Sequence, residues 1–137
     1  MIKVLIVDDH RIVREGLKLV LEESADIIVI DEASDGIEAV DKILHNSYDV
    51  VLLDISMPGK SGLDVLKEVR RDKAKLPILI LSAYPEEQYA VRVIKAGANG
   101  YLTKESAPEE LINAIRIVHL GKNYISATLG EKLATYI

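Results

Sequence analysis

Apolar runs alternate with segments of helical periodicity five times along this chain, and few folds accept that rhythm. Strands separated by crossover helices pair in parallel, and the helices then cover both faces of the sheet. The first strand is read at Lys3 to Val7, before a helix from Ile12 to Glu23 with Val13, Leu17, Val20 and Leu21 at core spacing. Ile27 to Ala33 reads as a second strand, and Asp31 and Glu32 within it suit an edge position. Gly36 to His45 forms the next helix, with Ile37, Val40 and Leu44 inward.

Asp49 to Leu53 is the third strand, and the helix from Gly62 to Arg71 is capped by Ser61 and buries Leu63, Leu66 and either Val65 or Val69. Pro77 to Leu81 has no polar residue after its proline, which predicts a central strand covered on both faces. A helix from Glu86 to Ala96 stops at Gly97, and Gly100 to Leu102 is a short fifth strand. The helix from Pro108 to about Leu120 turns Leu111, Ala114, Ile115 and Val118 to one side and ends at Gly121. The predicted fold is α/β: a doubly wound, five-stranded parallel sheet of order 2-1-3-4-5 with flavodoxin-like layering. Residues 1–121 make the domain. Residues 122–137 make a connector with a short helix, capped by Ser126 and striped by Leu129, Leu133 and Ile137.

At 137 residues and 49% hydrophobic content the chain suits one core. A net charge of −5 with no basic block argues against nucleic-acid binding by this chain alone. Cysteine is absent, which removes disulfides and thiolate chemistry, and Met1 to Val7 is too short for a leader or a membrane span. A cytoplasmic protein without membrane contact is expected.

Strand order 2-1-3-4-5 with right-handed crossovers places the ends of strands one and three side by side at the switch point of the sheet. Asp8, Asp9 and Asp54 then meet, and Ser82 and Lys104 end or follow the next two strands. Taken singly, each residue reads as a turn former, a cap or a surface charge. Together they supply what phosphoryl transfer needs: carboxylates for a divalent cation, one carboxylate to attack, a hydroxyl for the arriving group and an ammonium to balance charge. The site is therefore read as a magnesium-dependent phosphoryl acceptor. Met57-Pro58 stiffens the loop after Asp54. No chemistry is assigned to His10, His45 or His119.

At these residues the sequence resembles a response-regulator receiver domain. The resemblance rests on Asp8-Asp9, the Asp-x-x-Met-Pro-x-x-x-Gly loop from Asp54 to Gly62, Ser82-Ala83, and Tyr101 three residues before Lys104. It covers about Met1 to Leu120. Ala96 to Lys104 and the helix start at Pro108-Glu109-Glu110-Leu111 narrow it to the NarL/FixJ (LuxR-type) subfamily.

The resemblance implies that Asp54 takes a phosphoryl group from a sensor histidine kinase or phosphotransfer protein. Asp9, Asp54 and the Ser56 carbonyl would ligate Mg2+, with Asp8 acting mainly through bound water. Lys104 would pair with Asp54 and then with the phosphoryl oxygens. Ser82 and Tyr101 would form the switch, the ring turning inward behind the hydroxyl. Many receivers place a cis proline after this lysine, whereas this chain has Glu105.

The family also implies an output, commonly a helix-turn-helix DNA-binding domain, which the 137 residues do not include; a stand-alone relay or adaptor is the alternative. Self-association on phosphorylation is expected. Ile12 and Leu19, with Gly16 between them, form a second apolar stripe suited to a kinase, a tolerated surface glycine being the bland reading. A phosphatase of the haloacid-dehalogenase type would need an acid where Ser56 stands, and a flavodoxin-like phosphate loop is disfavoured by Asp8-Asp9. An interaction module that never takes phosphate would not need the full polar set.

Overall fold

Parallel pairing joins all five apolar runs in the order β2-β1-β3-β4-β5. The computed structural model describes residues 1–135, so Ile137 of the connector stripe lies outside the described residues. The strands are β1 (Ile2–Val7), β2 (Ile27–Ala33), β3 (Val50–Asp54), β4 (Ile78–Ser82) and β5 (Gly100–Thr103). Between and after them lie α1 (Arg11–Glu22), α2 (Gly36–His45), α3 (Gly62–Val69), α4 (Glu86–Lys95), α5 (Ala107–His119) and α6 (Ala127–Ala134).

Register brings the polar residues to one height. Val7 pairs with Leu53, so β1 and β3 deliver Asp8 and Asp54 side by side. Asp54 pairs with Leu81, and Ser82 with Thr103, which sets Ser82 and Lys104 along the same rim. β3 and β4 are buried throughout, as strands covered on both faces should be. One cluster below the sheet joins Ile43, Val65, Leu66, Val93 and Tyr101, and one above joins Leu17, Leu21, Leu111, Ile115 and Val118.

At the β2 edge a register shift between Val4 and Leu5 leaves Ile30 without a partner in the ladder. The charges beyond it do more than discourage stray pairing. Asp31 accepts from Lys42 Nζ at 2.8 Å and from Tyr48 at 2.7 Å, while Glu32 accepts from Arg14 at 2.9 Å and Lys18 at 2.9 Å. One acid thus ties α2 to the edge strand, and the other ties α1.

Gly36 sets the phase of α2, because a Cβ there would stand 2.4 Å from the Lys60 carbonyl oxygen. Ala39, Val40 and Ile43 consequently face the core, and Ile37, expected inward, is 71% exposed. Ser61 caps α3 by accepting from the Asp64 amide at 3.2 Å. Gly97 and Gly121 end α4 and α5 with φ of 111° and 83°, a region that favours glycine. Arg70 donates to the Gly97 carbonyl and to Asn99 Oδ1, fixing the turn from α4 into β5.

The described residues after α5 pack back against β5 and α4. Tyr124 N donates to Asn99 O at 2.8 Å, and its carbonyl accepts from Tyr101 N, adding a parallel bridge to the β5 edge. Ser126 caps α6 by accepting from Leu129 N at 3.0 Å. Leu129 is buried with Ala90, Val93 and Tyr101, and Leu133 packs against the same cluster.

Candidate functional site

Asp54 ends a strand buried along its whole length and is itself only 3% exposed. Oδ1 accepts from the Ser56 amide at 3.4 Å and faces Lys104 Nζ at 3.5 Å. Oδ2 is buried and has no hydrogen-bond partner among the described residues. Burial, and then the charge of Asp8, push the Asp54 pKa up to about 6, against the pull of Lys104.

Asp8 is as deeply buried. Its Oδ2 stands 2.9 Å from Lys104 Nζ, a closer approach than the lysine makes to Asp54. Burial works against the ammonium of Lys104, yet Asp8 and Asp54 outweigh it and raise its pKa. The other Asp8 oxygen accepts from the His10 amide at 2.9 Å, and Arg14 donates to the Asp8 carbonyl at 2.7 Å. The turn into α1 is thereby fixed under the acidic pair. Lys104 N donates to the Ser82 carbonyl at 2.8 Å, and all described peptide bonds are trans, that between Lys104 and Glu105 included.

The loop after Asp54 is held by close packing as well as by the ion pair of Lys60 with Glu68. A Cβ on Gly62 would meet the Asp54 carbonyl oxygen at 2.2 Å, so α3 begins directly against the backbone of Asp54. Gly62 N donates to Ile55 O at 3.0 Å, and Met57 is buried beneath the turn. Ser56 stays exposed at its tip.

Ser82 is fully buried, and its Oγ accepts from Tyr84 N at 3.0 Å. Tyr101 is buried too, its hydroxyl donating to the Tyr84 carbonyl at 2.8 Å. The two predicted switch residues therefore hold opposite sides of one backbone residue.

Sequence reasoning passed over His10. Its Nδ1 lies 3.2 Å from Asp8 Oδ1 and 3.1 Å from Asp9 Oδ1, and one ligand atom each from Asp8, Asp9, His10 and Asp54 falls within 4.8 Å of the others. The signal was its place directly after the acidic pair. His45 and His119 are remote from this group. An unpartnered buried oxygen beside further carboxylate oxygens suits a hard divalent cation such as Mg2+.

A parallel sheet with an acidic switch point facing one lysine defines the receiver class of signalling domains. The family model described as "Response regulator receiver domain" matches residues 4–116, and the chain belongs to that family. It is 42% identical over 134 residues to the response regulator UvrY of Escherichia coli, covering 98% of this chain and 62% of that protein. It is 38% identical to the oxygen regulatory protein NreC of Staphylococcus carnosus, covering 96% of this chain and 61% of that one. The chain thus spans less than two thirds of these curated relatives. Among solved structures, a LuxR-family two-component response regulator from Aurantimonas sp. superposes with a TM-score of 0.88 at 32% identity, over 98% of this chain and 96% of that one. These relatives bear out the NarL/FixJ (LuxR-type) reading. No helix among the described residues is long and apolar enough to cross a membrane.

Proposed function

We propose that Asp54 is the phosphoacceptor of a two-component pathway and that the acidic centre works with Mg2+. The observation that carries this reading is the Asp54 carboxylate, whose Oδ2 is buried with no hydrogen-bond partner among the described residues while its Oδ1 faces Lys104, with two further acids close by. Burial has removed the water that would blunt such a nucleophile, while α3 and the β3 ladder hold it in place.

Asp54 attacks phosphorus as the bond from phosphorus to the donor's imidazole nitrogen breaks, giving an acyl phosphate on the protein and a free histidine on the donor. Lys104 neutralises the added charge, and Ser82 Oγ donates to a phosphoryl oxygen once its hydroxyl turns toward the site. Asp8, Asp9, Asp54 and the Ser56 carbonyl would hold Mg2+, which would screen the acids from one another and from the incoming phosphoryl group. Hydrolysis by water at phosphorus returns Asp54 to its free form. The chain acts as a signalling domain that assists its own transfer and dephosphorylation, and as no other enzyme.

The donor is a sensor histidine kinase or phosphotransfer protein, for which the exposed Ile12 and Leu19 of α1 offer an apolar contact; among the described residues no other segment crowds Gly16 between them. Ser82 and Tyr101 pass the change to the α4, β5 and α5 face. Phosphorylation favours self-association there or at a neighbouring face. The output is transcriptional control through a DNA-binding domain that these 137 residues do not contain, and the cytoplasm is the compartment. Residues 122–137 serve as the connector.

Acetyl phosphate with Mg2+ should add one phosphoryl mass to the wild-type protein, mapped to Asp54. An adduct of the same yield on Asp54→Asn would refute the assignment.

A further inference from the structure

We infer that His10 is a nitrogen ligand of the acidic centre, giving it a selectivity for first-row transition cations that its carboxylates alone would lack. The inference rests on the proposed cation-dependent reading of the site. His10 Nδ1 stands 3.2 Å from Asp8 Oδ1 and 3.1 Å from Asp9 Oδ1. The Asp8 contact is a hydrogen bond without a cation, and both spacings match the separation of about 3 Å between neighbouring ligands of a six-coordinate ion with bonds near 2.1 Å, so the three atoms are placed to share one.

Two features hold the imidazole at this place. The His10 amide donates to Asp8 Oδ1 at 2.9 Å, and the His10 carbonyl accepts from Arg14 N at 3.1 Å as α1 begins. The ring is 64% exposed on its side chain, so its far edge reaches water while Nδ1 faces the acids. An independent sign of a missing ligand comes from across the group, where the buried Asp54 Oδ2 has no partner.

Imidazole nitrogen adds little for Mg2+, which prefers oxygen, and much for Co2+, Ni2+ or Zn2+. Asp8, Asp9 and Asp54 accept either class. His10 decides between them.

Co2+ and Mg2+ are suitable probes, titrated separately into the whole chain by calorimetry. His10→Ala should lose roughly tenfold or more in Co2+ affinity, since even an outer partner of a ligand is worth that much, and should keep its Mg2+ affinity. The wild-type Co2+ complex should also show a paramagnetically shifted, non-exchangeable imidazole C–H resonance that persists in His45→Ala. That control removes the exposed His45 and Asp41 pair as the source. Equal Co2+ affinity in wild type and His10→Ala, or absence of the shifted resonance, would overturn the inference. So would a parallel loss of both cations in His10→Ala, which would make the imidazole a brace for the acids. If neither ion binds the wild-type chain, the proposed function fails first and the inference with it.

Discussion

Tyr101 and Tyr84 are joined across the turn from β4 into α4, the Tyr101 hydroxyl donating to the Tyr84 carbonyl at 2.8 Å. Tyr84 is held on its other side by Ser82 Oγ. Turning the serine toward a phosphoryl group would free the Tyr84 amide and leave the tyrosine bond as the remaining tie. Burial raises the Tyr101 pKa, so the phenol stays a donor through neutral pH.

Replacing Tyr101 by Phe keeps the ring and removes the hydroxyl that makes this tie. A cost of about 1 kcal/mol to unfolding is expected, as for one intramolecular hydrogen bond. Amide exchange at Tyr84 and the first turn of α4 should quicken in the unphosphorylated protein. Unchanged protection there would show that the bond does not hold the turn.

Asp54 gives the folded domain a pH-dependent instability. Its pKa is lifted from 3.8 to about 6, chiefly by burial, so the native state binds the proton more tightly than the unfolded chain. The associated stability is fully present below the unfolded value and is lost as pH rises through about 6. In chelator at pH 8, Asp54→Asn should therefore melt higher than wild type, by an amount of up to about 3 kcal/mol from a shift of that size. The difference should shrink toward pH 4, and Mg2+ should shrink it at pH 8. Thermal melts with identical pH profiles for both proteins would contradict the assigned environment.

The sequence made the sheet order and the site legible because both depend on where apolar runs stop. Asp8, Asp54 and Ser82 each end or follow such a run, and the ladder pairing of Val7 with Leu53 and Asp54 with Leu81 then follows from parallel register. Ile37 was misread because periodicity alone does not fix the phase of a short helix. The phase is set by Gly36 against the Lys60 carbonyl, a contact between residues far apart in sequence. His10 was missed for a related reason: a polar residue after two acids has no periodic signature, and only the fixed turn into α1 brings its ring over them. Tyr84 escaped notice because its backbone, not its side chain, carries the contact.

Gly62 and Gly59 separate loop shape from loop flexibility. A methyl at Gly62 would meet the Asp54 carbonyl oxygen at 2.2 Å, whereas one at Gly59 would meet nothing within 4 Å but would sit at a φ of 77°. Gly62→Ala forces α3 away from the acceptor residue and should cost about 1–3 kcal/mol or more, as overpacking does. It should also sharply reduce labelling by acetyl phosphate. Gly59→Ala should cost about 1 kcal/mol through its backbone and leave most of the labelling. Equal labelling in the two variants would mean that the approach of α3 does not position Asp54.

Leu129 tests whether the connector belongs to the folded unit. It is 1% exposed and packs in the cluster that contains Tyr101, Ala90 and Val93, so α6 covers the side of α4 and β5 where Tyr101 lies. Polar ties accompany it, among them Tyr124 N to Asn99 O, Tyr101 N to Tyr124 O, Tyr124 hydroxyl to Glu110, and Ser126 Oγ to Glu86 Oε1. Leu129→Ala should destabilise the whole domain by about 2–5 kcal/mol, the range for a buried leucine, and lower the urea midpoint in a single transition. A connector that merely rests on the surface would behave differently, with an unchanged midpoint and selective protease cleavage after Lys122. Because Glu86 opens α4 and Tyr101 lies on β5, rearrangement at either residue strains the same packing. Phosphorylation should accordingly alter amide exchange in α6 of the wild-type chain. In Leu129→Ala that response should be weaker, since the side chain linking α6 to the Tyr101 cluster is gone.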